Sequence, residues 1–185
     1  MARAPRESDP GAIYHVYNRA NRKQTIFRKP GDYRAFMNVL FESLQKKPMR
    51  ILAAVVMPNH FHLLLWPTED VSVSTYMHWV TTTHVRRYHA HHGLVGTGHL
   101  YQDRFRMKHC RDERGVLGAM RYIEANPLTA SLVERAEDWE WGSLWFRAKG
   151  EESRLLCPCP ITLPSNWTEY VNERGSRGKT ATATP

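Results

Sequence analysis

The sequence predicts one α+β domain: a ferredoxin-like (split βαβ) antiparallel sheet with helices on one face, plus a third helix that carries a tyrosine. The first observation behind this prediction is the order of the periodic segments, which reads β-α-β-β-α-β-α along the chain. The second is the size of the chain, because 185 residues with 42% hydrophobic content bury one core without disulfide bonds.

The first half of the chain is predicted to supply three strands and one helix. Residues 12–17, A-I-Y-H-V-Y, alternate as a strand does, and apolar residues recur at helical spacing after the predicted N-cap Asp32. Two apolar runs follow, I-L-A-A-V-V-M and H-F-H-L-L-L-W, and only Pro58-Asn59 separates them. Such a short turn-forming pair predicts an antiparallel hairpin.

The second half is predicted to contain two helices around one strand. The second helix has Ser72 or Ser74 as its N-cap and ends in a His-rich segment. A fourth strand is predicted over residues 104–110. The third helix then begins after the N-cap Asp112 and ends at Asn126, because a proline follows.

The chain divides into three predicted parts. Residues 1–150 form the main domain and residues 151–173 a C-terminal extension. Residues 174–185 are small, polar and basic, so we expect a disordered tail there.

The charge favours a polyanionic partner. Lys and Arg number 26 against 18 Asp and Glu, which gives a formal net charge of +8, so nucleic acid or an anionic membrane surface is the expected partner. The 3 cysteines, two of them in C-P-C-P, indicate free thiols in a reducing compartment. The N-terminal segment M-A-R-A-P-R-E-S-D-P lacks the apolar region of a signal peptide, and no apolar run approaches the ~20 residues of a membrane span, so we expect neither secretion nor a membrane span.

The strand H-F-H-L-L-L-W carries the first candidate site residues. Side chains alternate along a strand, so His60 and His62 project to the same face and supply half of a metal site. Imidazole suits several transition metals, and a site completed by amide or water oxygens accepts Mn²⁺ or Mg²⁺. The alternative is that both are ordinary, partly buried, hydrogen-bonded histidines.

The third helix carries the second set of candidates. Tyr122 lies roughly 150° away from the centre of that helix's apolar stripe, so it is not a core residue. Asn126 follows four residues later on the same face, which presents a hydroxyl and an amide oxygen together. The alternative is a solvent-exposed tyrosine and a helix-ending asparagine.

Basic residues flank these candidates and suit a phosphate backbone. They are Arg19, Arg22, Lys23, Arg86, Arg87, Arg104, Arg106 and Lys108. Arg104, Arg106 and Lys108 share one face of the predicted fourth strand and form a cationic row. The alternative for each residue is a solvated surface charge.

Three ordered motifs resemble one protein family. M-P-N-H-F-H-L-L-L-W, G-H-L-Y-Q-D-R-F and M-R-Y-I-E-A-N-P-L-T-A-S-L-V, with D-W-E-W-G-S-L after them, resemble the REP-associated tyrosine transposases. These are relatives of the single-tyrosine HUH transposases of bacterial insertion sequences. The resemblance covers about residues 10–148.

The resemblance implies a metal-dependent single-stranded DNA endonuclease and strand transferase. It implies that Tyr122 is the nucleophile and forms a 5′-phosphotyrosine, and that His60 and His62 bind Mg²⁺ or Mn²⁺. Asn126 is the implied third ligand, at a position where related transposases often have Gln. Tyr101 stands where relatives often have Trp, and either ring stacks on a base.

The resemblance also implies the setting of this chemistry. The expected partner is single-stranded or hairpin DNA of repetitive palindromic elements, bound by a monomer or homodimer at the nucleoid of the bacterial cytoplasm. One alternative is a catalytically silent protein that binds hairpin nucleic acid. A metallohydrolase of the large-barrel type is excluded because such barrels need about 250 residues.

Overall fold

A computed structural model describes residues 8–150 and 154–179 of the chain, with side chains described as far as residue 173. The strands are β1 (Ile13–Arg19), β2 (Met49–Met57), β3 (His60–Pro67) and β4 (Arg106–Cys110). The helices are α1 (Pro30–Lys46), α2 (Val73–His92), α3 (Glu113–Glu124), α4 (Asn126–Thr129), α5 (Ser143–Ala148) and α6 (Trp167–Lys179). Single 3₁₀ turns lie at Asn21–Lys23 and Ala136–Asp138.

The four strands form one antiparallel sheet in the spatial order β2-β3-β1-β4. This order, with α1 between β1 and β2 and α2 between β3 and β4, is the split βαβ arrangement, so the predicted fold class is confirmed. The predicted hairpin is present, because Met57 pairs with His60 across the Pro58-Asn59 turn.

The two faces of the sheet are covered by different helices. Because side chains alternate along a strand, Val16 and Phe61 face α1 and α2, whereas Val55 and Leu64 face the opposite side. On that opposite side the apolar stripe of α3 completes a second apolar cluster with Val116, Met120 and Ile123. The sheet is therefore buried on both faces, and α3 lies on the face away from α1 and α2.

A histidine lies inside the core between α1 and α2. The His84 ring stacks on Phe27 with a centroid distance of 5.5 Å and meets the edge of Phe36 at 4.8 Å. Its Nδ1 shares a 2.6 Å hydrogen bond with the hydroxyl of Tyr101.

Two predicted element boundaries are corrected by the structure. Asp32 is not the N-cap of α1 but its third residue, where its carboxylate accepts hydrogen bonds from the backbone N–H groups of Arg28 and Lys29. The prediction was wrong because an Asp stabilises a helix both at the N-cap and within the first turn, so its presence does not distinguish the two positions. The fourth strand begins at Arg106, so Arg104 lies outside it, in the segment that leads into β4.

The end of α3 also differs from the prediction. Asn126 does not end a helix but begins the short helix α4 after a single residue, Ala125. The backbone nearly continues through this point, since the N–H of Ala125 donates to the carbonyl of Arg121 at 2.9 Å. Pro127 is accommodated because its missing N–H falls in the first turn of the new helix.

The C-terminal segment packs on the domain and covers α3. Trp167 and Val171 of α6 lie in the apolar cluster of α3, and the N–H of Cys157 donates to the carbonyl of Ile51 at 2.9 Å. Helix α6 runs to Lys179 and so includes the first residues of the segment for which the sequence predicts a disordered tail. Once anchored by its apolar first turns, a helix extends into polar residues that show no apolar pattern.

Three segments lie outside the described ranges: residues 1–7, 151–153 and 180–185. The last of them contains the remainder of the predicted tail. The 3 cysteines are free thiols, as expected. Among the helices of the described ranges, none combines the length and the apolar character that crossing a bilayer requires.

Candidate active site

The candidate site forms where the central strands β1 and β3 pair beneath α3. Tyr17 lies directly opposite His62, and Arg19 lies opposite His60. Residues directly opposite each other share a face, and residues two apart on one strand do as well. His15 therefore joins Tyr17, His60 and His62 on the face that α3 covers.

Hydrogen bonds orient both predicted metal-binding histidines. Nδ1 of His62 lies 2.8 Å from Nε2 of His15, and Nδ1 of His60 lies 2.6 Å from Oδ1 of Asn59. The ring centroids of His60 and His62 are 5.1 Å apart. Nδ1 is thus the nitrogen that both rings use in these two contacts.

The histidines of this site are held neutral by burial. The pKa of His62 is lowered to about 2, mainly by burial and then by the neighbouring His15 and His60 rings and the charge of Arg19. The pKa of His60 is lowered to about 4, mainly by burial and then by the charge of Arg19, against the opposing effect of a hydrogen bond to Asn126. The pKa of His15 is also lowered to about 4, mainly by burial and then by Lys108. Neutral imidazole is the form that binds a metal ion.

The structure brings Tyr122 to these histidines. Its ring centroid lies 5.4 Å from that of His62 and 5.7 Å from that of His15, and 38% of its surface is exposed. Asn126, one helical turn later in the chain, places its side chain on His60, to which it is hydrogen-bonded. The four residues predicted from the motifs therefore meet in one place, although they come from β3, α3 and α4.

The donor groups of this site are imidazole nitrogens and an amide. In residues 8–150 and 154–179, no three His, Cys, Asp or Glu side chains are grouped so that they could hold a metal ion. A third ligand at this site would thus be of another kind, and the amide of Asn126 is the group in place beside His60. Two neutral imidazoles, an amide oxygen and water form a set that Mn²⁺ or Mg²⁺ accepts.

A cationic cleft opens beside the site. Arg106 lies opposite Tyr17 and Lys108 opposite His15 in the β1–β4 pairing. The cleft has a volume of about 460 Å³ and is lined by His15 and Tyr17 together with Arg104, Arg106 and Lys108. The predicted basic row thus reaches the site, with Arg104 contributing from outside the strand.

The remaining predicted DNA contacts lie in different surroundings. Arg19 is exposed beside His60, and Arg22 and Lys23 are exposed on the 3₁₀ turn that follows β1. Arg86 is exposed on α2, where it lines a separate groove. Arg87 instead forms a bidentate ion pair with Glu42 at 2.8 Å. Its guanidinium is therefore engaged within the protein, which the prediction of a DNA contact did not anticipate.

Tyr101 is not placed as predicted. Only 7% of its surface is exposed, and its hydroxyl is hydrogen-bonded to the buried ring of His84. The structure therefore does not support stacking of Tyr101 on a base, because a ring that stacks on a base must have at least one face accessible. The aromatic residue serves the core here.

Two residues of the site region were missed in the sequence. His15 stands at an alternating position of the first strand, and only the strand pairing reveals that it reaches His62.

Glu124 is a buried carboxylate at the end of α3. It accepts hydrogen bonds from Ser143 Oγ at 2.6 Å, Arg147 Nε at 2.9 Å and Trp167 Nε1 at 2.6 Å. Its partners are distant in sequence, so no local pattern announces it.

Comparisons with known proteins identify a family and a similar fold. A family model described as IS200-like transposase matches residues 10–126, which is well over half of the chain. The chain is similar in structure to a REP-associated tyrosine transposase bound to a REP hairpin, with a TM-score of 0.63 and 20% identity. That match covers 88% of this chain and 95% of the other, and supports the fold.

A second solved structure is similar over less of the chain. It is a putative transposase from Deinococcus radiodurans, with a TM-score of 0.48 and 17% identity, covering 67% of this chain and 96% of the other. No curated protein matches the chain.

Proposed function

The chain belongs to the IS200-like transposase family, and from this premise we propose that it is a metal-dependent endonuclease and strand transferase for single-stranded DNA. The nucleophile is the hydroxyl of Tyr122. The observation that carries the proposal is the meeting of Tyr122 with the neutral pair His60 and His62, with ring centroids of Tyr122 and His62 5.4 Å apart.

The reaction exchanges one phosphodiester bond for another. The oxygen of Tyr122 forms a bond to the scissile phosphorus while the bond from phosphorus to the 3′ oxygen breaks, and the phenol proton passes overall to the departing 3′ oxygen. The products are a 5′-phosphotyrosine and a free 3′-OH. The reverse attack by a 3′-OH reseals or transfers the strand, so no nucleoside triphosphate is consumed.

Three side chains would hold the divalent cation: His60, His62 and Asn126. A bound cation neutralises charge that develops on the scissile phosphate, which an ordinary phenol needs because it is a weak nucleophile at neutral pH. His15 acts on His62 rather than on the substrate. Its 2.8 Å hydrogen bond to Nδ1 fixes which nitrogen of His62 faces the ligand position.

The cationic cleft beside the site suits the backbone of the substrate strand. Arg104, Arg106 and Lys108 line it together with His15 and Tyr17, so a strand lying there passes next to Tyr122. The ring of Tyr122 lies against the histidines of the sheet, where α3 would obstruct a regular duplex. The related structure is bound to a REP hairpin, and we therefore propose hairpin DNA with unpaired flanks as the substrate, cut in the flank. Such a substrate would place the protein at the nucleoid.

The proposal is tested by trapping the covalent intermediate. Hairpin oligonucleotides with single-stranded flanks, labelled at the 3′ end, are incubated with protein and Mn²⁺ and run on a denaturing gel. We expect a labelled adduct with the wild type, none with Tyr122→Phe, and DNA affinity nearly unchanged, because only one oxygen is removed.

Tyr170→Phe provides the matched control. Tyr170 is a second exposed tyrosine, on the neighbouring helix α6, with 37% of its surface exposed against 38% for Tyr122. We expect its variant to retain the adduct. Excess EDTA should suppress the adduct, and added Mn²⁺ should restore it to the wild type but not to His60→Ala. An adduct that survives in Tyr122→Phe would remove the assignment, and DNA binding without any adduct would favour a catalytically silent binding protein.

A further inference from the structure

The sequence motif D-W-E-W-G-S-L, residues 138–144, has no part in the chemistry above. The structure places it along the outer edge of β2. The N–H of Val56 donates to the carbonyl of Trp141 at 2.9 Å, and Val55 forms a β-bridge with Gly142. The motif is therefore fixed to the sheet beside the strand that carries His60 and His62.

The residues that follow connect β2 to the last residue of α3. The Oγ of Ser143 donates to Oε1 of Glu124 at 2.6 Å and accepts from the N–H of Ala54 at 3.2 Å. Arg147 makes a second connection, because its Nε donates to Oε1 at 2.9 Å and its Nη2 donates to the carbonyl of Leu52. Two side chains of α5 thus join the carboxylate of Glu124 to the backbone of β2.

The other oxygen of Glu124 is bound to α6. Nε1 of Trp167 donates to Oε2 at 2.6 Å. Only 2% of Glu124 is exposed, so these hydrogen bonds are shielded from water and hold their direction. The apolar stripe of α3 packs on the sheet without directional bonds. The carboxylate is therefore the group that restrains rotation of α3 about its own axis.

Such a rotation would move Tyr122. Residues two apart in a helix point about 200° away from each other, so Glu124 and Tyr122 lie on opposite sides of α3. The Cα atoms of a helix lie about 2.3 Å from its axis and a tyrosine hydroxyl reaches roughly 6 Å farther, so a rotation of about 10° displaces the hydroxyl by about 1.4 Å. A misplacement of about 1 Å is enough to slow a reaction roughly 100-fold.

We propose that Glu124 is a positioning residue for the nucleophile. Bound to β2 and α6, it fixes the rotation of α3 and so sets where the hydroxyl of Tyr122 stands relative to His60 and His62. The inference rests on the proposed function for the role of Tyr122. It gives a task in that reaction to Ser143, Arg147 and Trp167, which lie beyond the family match at residues 10–126.

The first test replaces one oxygen of the carboxylate. Glu124→Gln keeps the shape of the side chain but exchanges an acceptor for a donor, so it cannot accept from Trp167 and from the two residues of α5 at once. Adduct formation is timed with excess protein on the flanked hairpin, and DNA affinity is measured in excess EDTA. We expect the rate to fall roughly 10- to 100-fold while the affinity changes by less than about two-fold.

Val171→Ala is the matched control. Val171 is fully buried on α6 in the apolar cluster of α3, and its side chain has no group that could bond to Glu124. Its loss loosens non-directional packing, so we expect adduct formation within about three-fold of the wild type. Urea unfolding measures the stability of both variants. A Glu124→Gln rate equal to that of the wild type, or equal losses of rate in the two variants, would overturn the proposal.

Trp167→Phe is the second variant, and it removes one donor while keeping an aromatic ring. We expect it to slow adduct formation as well. Combined with Glu124→Gln it should lose less than the product of the two single losses, because both changes break the same hydrogen bond. A full product would overturn the part given to Trp167.

A spectroscopic test follows the tyrosine without DNA. The protein is made with 3-fluorotyrosine, and the ¹⁹F resonance of Tyr122, one of 8 tyrosines, is the one missing from Tyr122→Phe. The rings of His62 and His15 lie 5.4 and 5.7 Å from that of Tyr122, so the resonance is sensitive to its position. We expect it to shift or broaden in Glu124→Gln and not in Val171→Ala. An unchanged resonance in Glu124→Gln would overturn the proposal.

The two proposals fail separately. Absence of a covalent adduct with the wild type, together with a displaced resonance in Glu124→Gln, would remove the catalytic proposal and leave Glu124 as the residue that positions Tyr122. An adduct that forms equally fast in the wild type and in Glu124→Gln would do the reverse.

Discussion

His15 determines how His62 is presented, although it lies outside every motif that pointed to the site. Its Nε2 is 2.8 Å from Nδ1 of His62, and partners of this kind fix the ring orientation and tautomer of a metal-binding histidine. Because His15 acts through His62, we expect its replacement to lower the affinity for the metal ion as well as the rate of cleavage.

We expect His15→Ala to weaken Mn²⁺ binding roughly 10- to 100-fold, while His15→Gln, which retains a hydrogen-bonding group, loses less. Manganese binding is measured by electron paramagnetic resonance without DNA. His109→Ala is the control, because His109 is exposed on β4 and contacts Tyr14 on the other face of the sheet. Unchanged Mn²⁺ affinity in His15→Ala would show that the hydrogen bond does not position His62.

His84 links the pH to the stability of the fold. It is 3% exposed, and burial lowers its pKa to about 3, an effect that His89 and His92 reinforce and Asp32 opposes. In the unfolded chain it takes up a proton near its ordinary value of 6.5. Between these two values the unfolded state binds more protons, so stability is complete above pH 6.5 and falls as the pH is lowered.

We expect the wild type to lose about 2 kcal/mol more unfolding free energy than His84→Gln between pH 7 and pH 5. Urea unfolding at both pH values measures the difference. Other buried histidines titrate equally in both proteins, so the comparison isolates His84. Parallel losses in the two proteins would mean that His84 is protonated in the folded state.

Glu124 connects helix α3 to helices α5 and α6. Its buried carboxylate accepts hydrogen bonds from Ser143 and Arg147 of α5 and from the indole of Trp167 on α6. On the preceding turn Arg121 lies over the ring of Tyr170 at 3.7 Å and donates to its carbonyl at 2.7 Å. Tyr122 is therefore flanked by two residues that tie α3 to α6.

Glu124→Ala is expected to lower the unfolding free energy by about 3–5 kcal/mol, because Arg147 and Trp167 lose a buried partner. Urea unfolding measures it. Glu173→Ala removes an exposed carboxylate 3.7 Å from Arg121 and should cost less than about 1 kcal/mol. Similar losses for the two variants would show that the Glu124 cluster is not a structural anchor.

The elements that the sequence predicts well are those with their own periodicity. The strands around Pro58-Asn59 and the helix after Asp112 follow from local alternation and capping, and the motifs on them bring His60, His62 and Tyr122 together. Helices α4 to α6 have weak patterns, and tertiary contacts such as Trp167 with Glu124 stabilise them. The ion pair of Arg87 and the burial of Tyr101 depend on distant partners for the same reason.

Arg106 and Lys108 place part of the protein's net charge of +8 directly beside the site. If both contact phosphates, replacing them with Ala should flatten the slope of log affinity against log salt by roughly one to two units for single-stranded DNA. Fluorescence anisotropy over a salt series measures the slope.

The control double variant, Arg34→Ala with Lys46→Ala on α1, removes the same charge on the other face and should leave the slope unchanged. Equal slopes in all three proteins would move the DNA path away from β4.

The two outer strands of the sheet differ in how their free edges are protected. The edge of β2 is covered by Trp141 and Gly142 and by the segment at Cys157, through backbone pairing. Within residues 8–150 and 154–179, the outer edge of β4 has no such cover, yet β4 is short and carries Arg106 and Lys108. Short, charged edges resist addition of a strand from another copy of the chain. Neutralising these two residues would thus also remove a barrier to aggregation, which light scattering during heating would reveal.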